Sequence, residues 1–208
     1  MAKDIVNKVG DYYTEKIKLS GANSNGVDWN SKESHLLRFK QLSKVIDLKS
    51  NFSILDYGCG YGELINFLNN NKFQKFNYFG YDISNKMIEE ANKKHKSKNI
   101  HFSFKEEFLK GKEFDFCIAN GIFNVKLNFD EEKWKEYIIS TLNEMNKLSL
   151  KGFSFNILTS YSDKEFMKNY LYYADPLFFF NYCKLNFSKK VSLVHDYPLY
   201  EFSIIVKK

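Results

Sequence analysis

Short hydrophobic runs alternate with amphipathic segments along most of the chain. After two helix-like stretches at 3–18 and 31–48, the pattern predicts strands at 53–56, 77–81, 100–104, 114–119, 152–158, 191–194 and 201–206. Between the strands it predicts helices at 62–69, 84–94, 131–147 and 175–186. Strands that alternate with helices are typical of an α/β fold with a doubly wound, mostly parallel sheet. The last two strands are close in sequence, so we expect that edge to be antiparallel.

The 208 residues are enough for one compact domain with a substantial core. Within it we expect residues 1–50 to form a helical lid over a main unit at 51–208. Two helix starts have clear signals: Ser84 as an N-cap, and Asp175 as an N-cap followed by Pro176.

Composition narrows the class of protein. No apolar run approaches the roughly 20 residues that a membrane span needs, and no signal-like stretch follows Met1. Cys59, Cys117 and Cys183 are odd in number and lack a metal-ligand spacing, which favours a reduced cytoplasm. No cluster of His, Asp and Glu indicates a metal.

The net charge of +6 is compatible with nucleic acid, but the lysines are spread along the chain and mixed with acids. Arg38 is the one arginine among 31 basic residues. It is either a planar fork for a carboxylate or phosphate, or a chance arginine in a lysine-rich chain.

The strongest chemical signal is the D-x-G-x-G-x-G pattern formed by Asp56, Gly58, Gly60 and Gly62. Three glycines between a strand and a helix allow a tight turn and a close approach to a ligand. The carboxylate of Asp82 ends the next strand, 20 residues beyond Gly62, where such folds bind the ribose hydroxyls of an adenosine. A dinucleotide fingerprint counted from Gly58 fails, because Glu63 stands where its third glycine belongs.

This pattern resembles motif I of the class I methyltransferases that use S-adenosylmethionine (SAM), and the resemblance covers roughly residues 50–208. It implies a Rossmann-like fold with a seven-stranded sheet, an antiparallel last strand and helices on both faces. It also implies that Asp56 holds the loop or meets the α-amino group, that Asp82 binds the ribose, and that Glu106 or Glu107 lies near the adenine. The full set of expected cofactor-binding residues is Asp56, Gly58, Cys59, Gly60, Gly62, Asp82, Ile83, Met87, Glu106, Glu107, Asn120 and Gly121.

The acceptor should bind beyond the carboxyl ends of the strands. His195 is the expected general base, oriented by Asp196, although both residues are also explained as turn formers. Tyr173 is a further catalytic candidate. The expected acceptor-binding residues are Trp29, Arg38, Asn124, Tyr161, Tyr172, Tyr173 and His195.

Three short segments, at 26–29, 172–176 and 195–197, resemble a group of small bacterial methyltransferases from surface-polysaccharide gene clusters. Some members of that group are linked to O-methylation of the capsular phosphoramidate. The resemblance implies an O-methyltransferase for a small polar acceptor: a phosphoramidate, a sugar or a nucleotide-linked precursor.

Two alternatives stay open: an RNA methyltransferase, and a SAM-binding protein without turnover. The loop after the fourth strand lacks the N-P-P-Y or D-P-P-Y of enzymes that methylate base amino groups, which counts against nucleic acid. The sequence leaves the choice between monomer and homodimer open.

Overall fold

The computed structural model of the protein describes residues 2–21, 31–47 and 50–208. These residues contain seven strands: β1 (Ser50–Tyr57), β2 (Gln74–Tyr81), β3 (Ile100–Ser103), β4 (Phe114–Ala119), β5 (Ser149–Leu158), β6 (Lys190–Val194) and β7 (Glu201–Lys207). They also contain six α-helices: α1 (Ala2–Ser20), α2 (Lys32–Leu42), α3 (Glu63–Asn70), α4 (Asn85–Lys94), α5 (Glu131–Leu148) and α6 (Pro176–Asn186). Short 3₁₀ turns lie at Ser43–Val45, Glu106–Phe108 and Lys164–Phe166.

The described strands form a single sheet in the order β3-β2-β1-β4-β5-β7-β6. β7 runs antiparallel to both of its neighbours, and the other pairs are parallel. The predicted α/β architecture, with a mostly parallel sheet and an antiparallel last strand, is confirmed. The sequence does not indicate that β7 inserts between β5 and β6, because a predicted hairpin does not specify which of its strands pairs with the rest of the sheet.

The predicted elements are present, but some of their ends differ. The helix predicted at 31–48 ends at Leu42, with a 3₁₀ turn to Val45, and the strand predicted at 100–104 ends at Ser103. β1, β2 and β5 each begin three residues before the predicted position, in segments with polar residues. Backbone pairing with a neighbouring strand needs no apolar side chain, so the hydrophobic pattern misses these ends. Both predicted N-caps are present: the Ser84 hydroxyl accepts from Met87 N at 3.4 Å, and the Asp175 carboxylate accepts from Leu177 N at 2.9 Å.

Helices cover both faces of the sheet. Ile54 and Leu55, adjacent on β1 and fully buried, belong to different hydrophobic clusters, because successive strand residues point to opposite faces. The Ile54 cluster includes Leu64 of α3, and the Leu55 cluster includes Trp134 of α5. In the described parts of the chain, no helix is long and apolar enough to cross a membrane.

Helix α1 connects two parts of the core. Ile5 and Val9, in its first half, pack in the cluster on the α5 face, whereas Ile17 packs against Tyr61 and Met87. The Thr14 hydroxyl lies 2.8 Å from the Ser84 hydroxyl, which also caps α4. These contacts hold α1 across the region where β1 and β2 end.

Candidate active site

The glycine loop after β1 has a backbone conformation that favours glycine at three positions. Gly58, Gly60 and Gly62 have φ values of 81°, 53° and 84°, in the left-handed region that favours glycine. The amides of Gly58 and Cys59 donate to the Tyr81 carbonyl at 2.7 and 3.0 Å, which ties the loop to the end of β2. A Cβ on Gly58 would lie 2.2 Å from Ile122 Cγ2, so the loop has no room for a side chain at this position.

Asp82 joins the glycine loop to the segment after β2. Its two carboxylate oxygens accept hydrogen bonds from Gly60 N at 2.8 Å and from Ser84 N at 2.9 Å. Burial raises the pKa of Asp82 to about 6, although both amides act in the opposite direction. Each carboxylate oxygen can accept a second hydrogen bond, so Asp82 can organise the loop and still bind a hydroxyl group.

Asp56, at the end of β1, is buried beside Tyr78. The Tyr78 hydroxyl donates to Asp56 Oδ2 at 2.6 Å. Burial raises the pKa of Asp56 to about 7, and the nearby Asp82 acts in the same direction, against the Tyr78 hydrogen bond. Asp56 and Asp82 are thus two neighbouring carboxyl groups that burial has removed from water, and a bound cation would stabilise their ionised forms.

The glycine loop and both carboxylates face one cleft. Nine of the expected cofactor-binding residues line it: Asp56, Gly58, Cys59, Gly60, Asp82, Ile83, Met87, Asn120 and Gly121. Gly62 serves instead as the N-cap of α3. Burial raises the pKa of the Cys59 thiol well above its usual range, so this sulfur is an apolar part of the wall.

Further lining residues were not expected from the sequence. They come from helices α1, α2, α3 and α5, from the end of β2 and from the loops after β1 and β4. They are Val9, Tyr13, His35, Phe39, Tyr61, Glu63, Tyr81, Ile122 and Tyr137. No local motif marks them, since helices α1 and α2 reach the cleft through tertiary packing. Among the described residues of the lining, lysine and arginine are absent.

Glu106 and Glu107 are both exposed in the 3₁₀ turn after β3, outside the lining of the cleft. Glu106 is close enough to Tyr81, a cleft residue, to contribute to the raised pKa of the tyrosine. That proximity favours Glu106 over Glu107 as the acid nearer to the cleft.

The structure does not bring His195, Asp196 or Tyr161 into the cleft. His195 and Asp196 are exposed in the connection after β6, and the Tyr161 ring lies 6.0 Å from the His195 ring. Three strand spacings, or about 14 Å, separate β4 at the cleft from β6. A general base must come within about 3 Å of the proton that it removes. His195 and Asp196 lie outside the lining of the cleft, and their role as general base and partner stays a prediction.

Three other expected acceptor residues make structural contacts near β5. Tyr172 is buried in the main hydrophobic cluster, and the Tyr173 hydroxyl accepts from Lys168 N at 3.0 Å. The Asn124 side-chain oxygen accepts from Leu158 N at 3.2 Å, and the Asn124 backbone carbonyl accepts from Tyr172 N at 2.8 Å. These bonds fasten the loop after β4 to β5, and none of the three residues lines the cleft.

Arg38 does pair with a carboxylate, but the carboxylate is internal. Arg38 Nε lies 2.6 Å from Glu201 Oε1, and both side chains are buried. Arg38 is absent from the lining of the cleft, and its expected contact with the acceptor stays a prediction. Trp29, also expected at the acceptor, lies outside the described residues.

A polar chain leads from this ion pair to the floor of the cleft. Glu201 Oε2 accepts from Asn156 Nδ2 at 3.0 Å, and Asn156 Oδ1 accepts from Gly121 N at 2.8 Å. Both Asn156 and Glu201 are fully buried. Sequence reasoning missed this chain, because its members lie on α2, β5, β7 and the loop after β4.

The cleft suits SAM on two structural grounds. Gly58 and Gly60 present backbone without a side chain to the cleft, which allows a ligand to approach closely. Asn120 Oδ1 is buried at the cleft without a hydrogen-bond partner among the described residues. It offers an acceptor, and with Asp56 and Asp82 it gives the cleft the negative character that suits a sulfonium and an ammonium group.

Comparisons with known proteins agree with this chemistry. A family model for a methyltransferase domain matches residues 48–175. Rv1506c of Mycobacterium tuberculosis, provisionally named a methyltransferase, is 43% identical over 166 residues, covering 79% of this chain and 98% of that protein.

Solved structures share the fold at low sequence identity. Magnesium protoporphyrin IX methyltransferase from Synechocystis with bound S-adenosylhomocysteine (SAH) has a TM-score of 0.66 at 17% identity, covering 98% of this chain and 99% of that one. A SAM-dependent methyltransferase from Leishmania major has a TM-score of 0.63 at 14% identity, covering 96% and 82%. The chain therefore belongs to the class I SAM-dependent methyltransferases, and SAM is its cofactor.

Proposed function

We propose that the protein is an O-methyltransferase for a small polar acceptor, such as a sugar, a nucleotide-linked precursor or a phosphoramidate, in the synthesis of a bacterial surface polysaccharide. The polysaccharide context rests on the sequence resemblance of the segments at 26–29, 172–176 and 195–197. The bound cofactor supplies an electrophilic methyl group on a sulfonium. The residues of the cleft need to hold the acceptor in line with it and exclude water.

The observation that carries the proposal is the cover over the cleft. Val9 and Tyr13 of α1, together with His35 and Phe39 of α2, line the same space as the glycine loop. An acceptor that approaches the cofactor must pass beside these two helices, which favours a small molecule over a folded RNA.

Tyrosine hydroxyls provide the means to orient an acceptor hydroxyl group. Tyr13, Tyr81 and Tyr137 line the cleft. Burial raises the pKa of Tyr81 and raises that of Tyr137 to about 12, so both phenols keep their protons near neutral pH. A protonated phenol donates a hydrogen bond to the acceptor oxygen, and we assign these residues positioning roles.

The charge of the cleft ranks the proposed acceptors. The described lining contains Asp56, Glu63 and Asp82 but no lysine or arginine. A phosphoryl or phosphoramidate group would meet no fixed cation among these residues. We therefore favour a sugar hydroxyl as the methylated group, with any phosphate of a nucleotide-linked precursor outside the cleft.

The test is transfer of labelled methyl from SAM into three separate pools: nucleotide sugars, phosphoramidates with other phosphorylated metabolites, and bulk RNA. Label in nucleotide sugars is the expected result. Label in RNA alone would overturn the proposed acceptor class. SAM binding without transfer to any pool would favour a binding protein without turnover.

The control is Asp82→Ala, which removes the carboxylate expected to bind the ribose. We expect it to weaken SAM binding by about 1.5–3 kcal/mol, the range for a charge-assisted hydrogen bond. Transfer by this variant should fall accordingly at SAM concentrations below saturation. Unchanged SAM affinity in calorimetry would contradict the role of Asp82.

A further inference from the structure

His35 has an unusual position for a histidine. It lies on α2, is 7% exposed, and lines the cofactor cleft beside Tyr61 and Glu63. Its ring packs against Phe39 with the ring centroids 4.5 Å apart. Neither the sequence motifs nor the proposed acceptor chemistry accounts for an imidazole at this point of the wall.

Apart from His35, the charged side chains that line the described part of the cleft are all acidic. Among the described residues of the lining, Asp56, Glu63 and Asp82 are acids, and His35 alone has a side chain that can become positive. Outside the described part, residues 22–30 contain no Lys, Arg or His, and residues 48–49 contain one basic residue, Lys49.

The methionine end of SAM carries two opposite charges. Its α-ammonium is complementary to the acids of the cleft, whereas its α-carboxylate needs a hydrogen-bond donor or a cation. A carboxylate left without either in a desolvated wall would weaken binding. We propose that His35 binds the α-carboxylate of the cofactor and takes up a proton as it does so.

The surroundings of His35 explain why a proton would enter with the ligand. Burial lowers the pKa of His35 to about 4, and Arg38 and Lys94 act in the same direction, partly opposed by Glu63. The imidazole is thus neutral near pH 7 in the free protein. An adjacent carboxylate favours the charged form and raises the pKa, so binding takes up a proton between the two pKa values.

Cofactor binding releases protons from the acids of the cleft, which opposes the proton uptake by His35. A bound cation favours ionised Asp56 and Asp82, whose raised pKa values of about 7 and about 6 leave both partly protonated at pH 6. The net proton count therefore mixes uptake and release. The contribution of His35 appears as the difference between wild type and a variant, or between ligands with and without the carboxylate.

The test is calorimetry at pH 6 in two buffers with different heats of ionisation. The ligands are SAH, which has the carboxylate, and 5′-methylthioadenosine, which lacks the amino-acid end. For His35→Gln we expect SAH binding about 10- to 100-fold weaker, as for loss of a charge-assisted bond, and 5′-methylthioadenosine binding unchanged. Wild type should take up more protons with SAH than the variant does.

His101→Gln is the matched control, because His101 is exposed on β3, stacked on Phe79, and outside the lining of the cleft. It should bind both ligands as wild type does. Equal losses for both ligands in His35→Gln, or equal proton counts in variant and wild type, would overturn the proposal.

A second measurement needs no variant and covers the case in which His35→Gln does not fold. Wild-type protein is titrated with SAM and with decarboxylated SAM in the same buffer pair. Greater proton uptake with SAM supports the proposal, and equal counts overturn it. The result is independent of the acceptor, because both experiments measure cofactor binding alone.

Discussion

At the scale of single residues, Gly58 is required both by its left-handed backbone and by the nearby Ile122 side chain, and the two effects can be measured separately. Gly58→Ala would strain a backbone with φ of 81° and place a Cβ 2.2 Å from Ile122 Cγ2. Gly111→Ala is the matched control, because Gly111 has φ of 68° with nothing within 4 Å of the added Cβ.

We expect Gly111→Ala to lower the free energy of unfolding by about 1–2 kcal/mol through backbone strain alone. Gly58→Ala should lose about 1–3 kcal/mol more from the steric clash, and its SAM affinity should fall. Urea denaturation of both variants, with calorimetry for SAM, makes the comparison. Equal losses of stability would show that Ile122 moves away without cost.

The raised pKa of Asp56 predicts that the free energy of unfolding of the cofactor-free protein depends on pH. Its pKa is raised from 3.8 to about 7, so between these values the folded state holds a proton that the unfolded state has lost. The contribution of this group to stability is therefore present at low pH and is lost as the pH rises towards about 7. Asp82, with its pKa raised to about 6, acts in the same direction.

Asp56→Asn removes this titration while keeping an oxygen for the Tyr78 hydroxyl. We expect the free energy of unfolding of the variant to change less between pH 4 and pH 8 than that of wild type. SAM binding at pH 8 should be weaker, because an ionised carboxylate is gone. Denaturation curves at both pH values measure the first effect, and an identical pH dependence in the two proteins would contradict it.

At the scale of elements, the docking of α1 over the cleft depends in part on the Thr14–Ser84 hydrogen bond. Thr14→Val keeps the shape of the side chain and removes that bond, at a cost of about 0.5–1.5 kcal/mol. Helix α1 should then exchange its amide hydrogens faster, and SAH affinity should fall by about 2- to 10-fold.

The control for this prediction is Asp11→Asn, on the exposed side of the same helix. Hydrogen exchange followed by mass spectrometry resolves α1 in both variants. Unchanged protection of α1 in Thr14→Val would mean that the packing of Ile5, Val9 and Ile17 alone holds the helix.

At the scale of the whole molecule, the Arg38–Glu201 pair connects α2 to the sheet and, through Asn156, to the backbone of the cleft. Arg38→Met leaves the buried Glu201 carboxylate without its cation and should lower the free energy of unfolding by about 3–5 kcal/mol. The double variant Arg38→Met with Glu201→Gln should recover part of that loss.

Lys151→Met is the comparison, because the Lys151–Asp115 pair has an N–O distance of 2.8 Å but a half-exposed lysine. Loss of such a surface pair should cost about 1 kcal/mol or less. Chemical denaturation of the variants compares the two pairs. A similar small loss in both would mean that the Arg38–Glu201 pair contributes no more than a surface pair.

The sequence by itself determined the features that depend on neighbours along the chain. The glycine pattern, the spacing of Asp82 and the caps at Ser84 and Asp175 are local, and the structure has each of them in the expected form. The alternation of strands and helices was also local and was sufficient for the fold class, and together with the glycine pattern it indicated half of the residues that line the cleft.

Only the tertiary structure decided which distant side chains meet. Arg38 and His35 lie three residues apart on α2, yet one pairs with Glu201 of β7 and the other lines the cleft. His195 was expected beside the methyl group, but β7 inserts between β5 and β6 and moves the β6 end away from the cleft. The physical reason is that periodicity specifies which face of an element is buried, whereas the packing of the whole chain selects the element it is buried against.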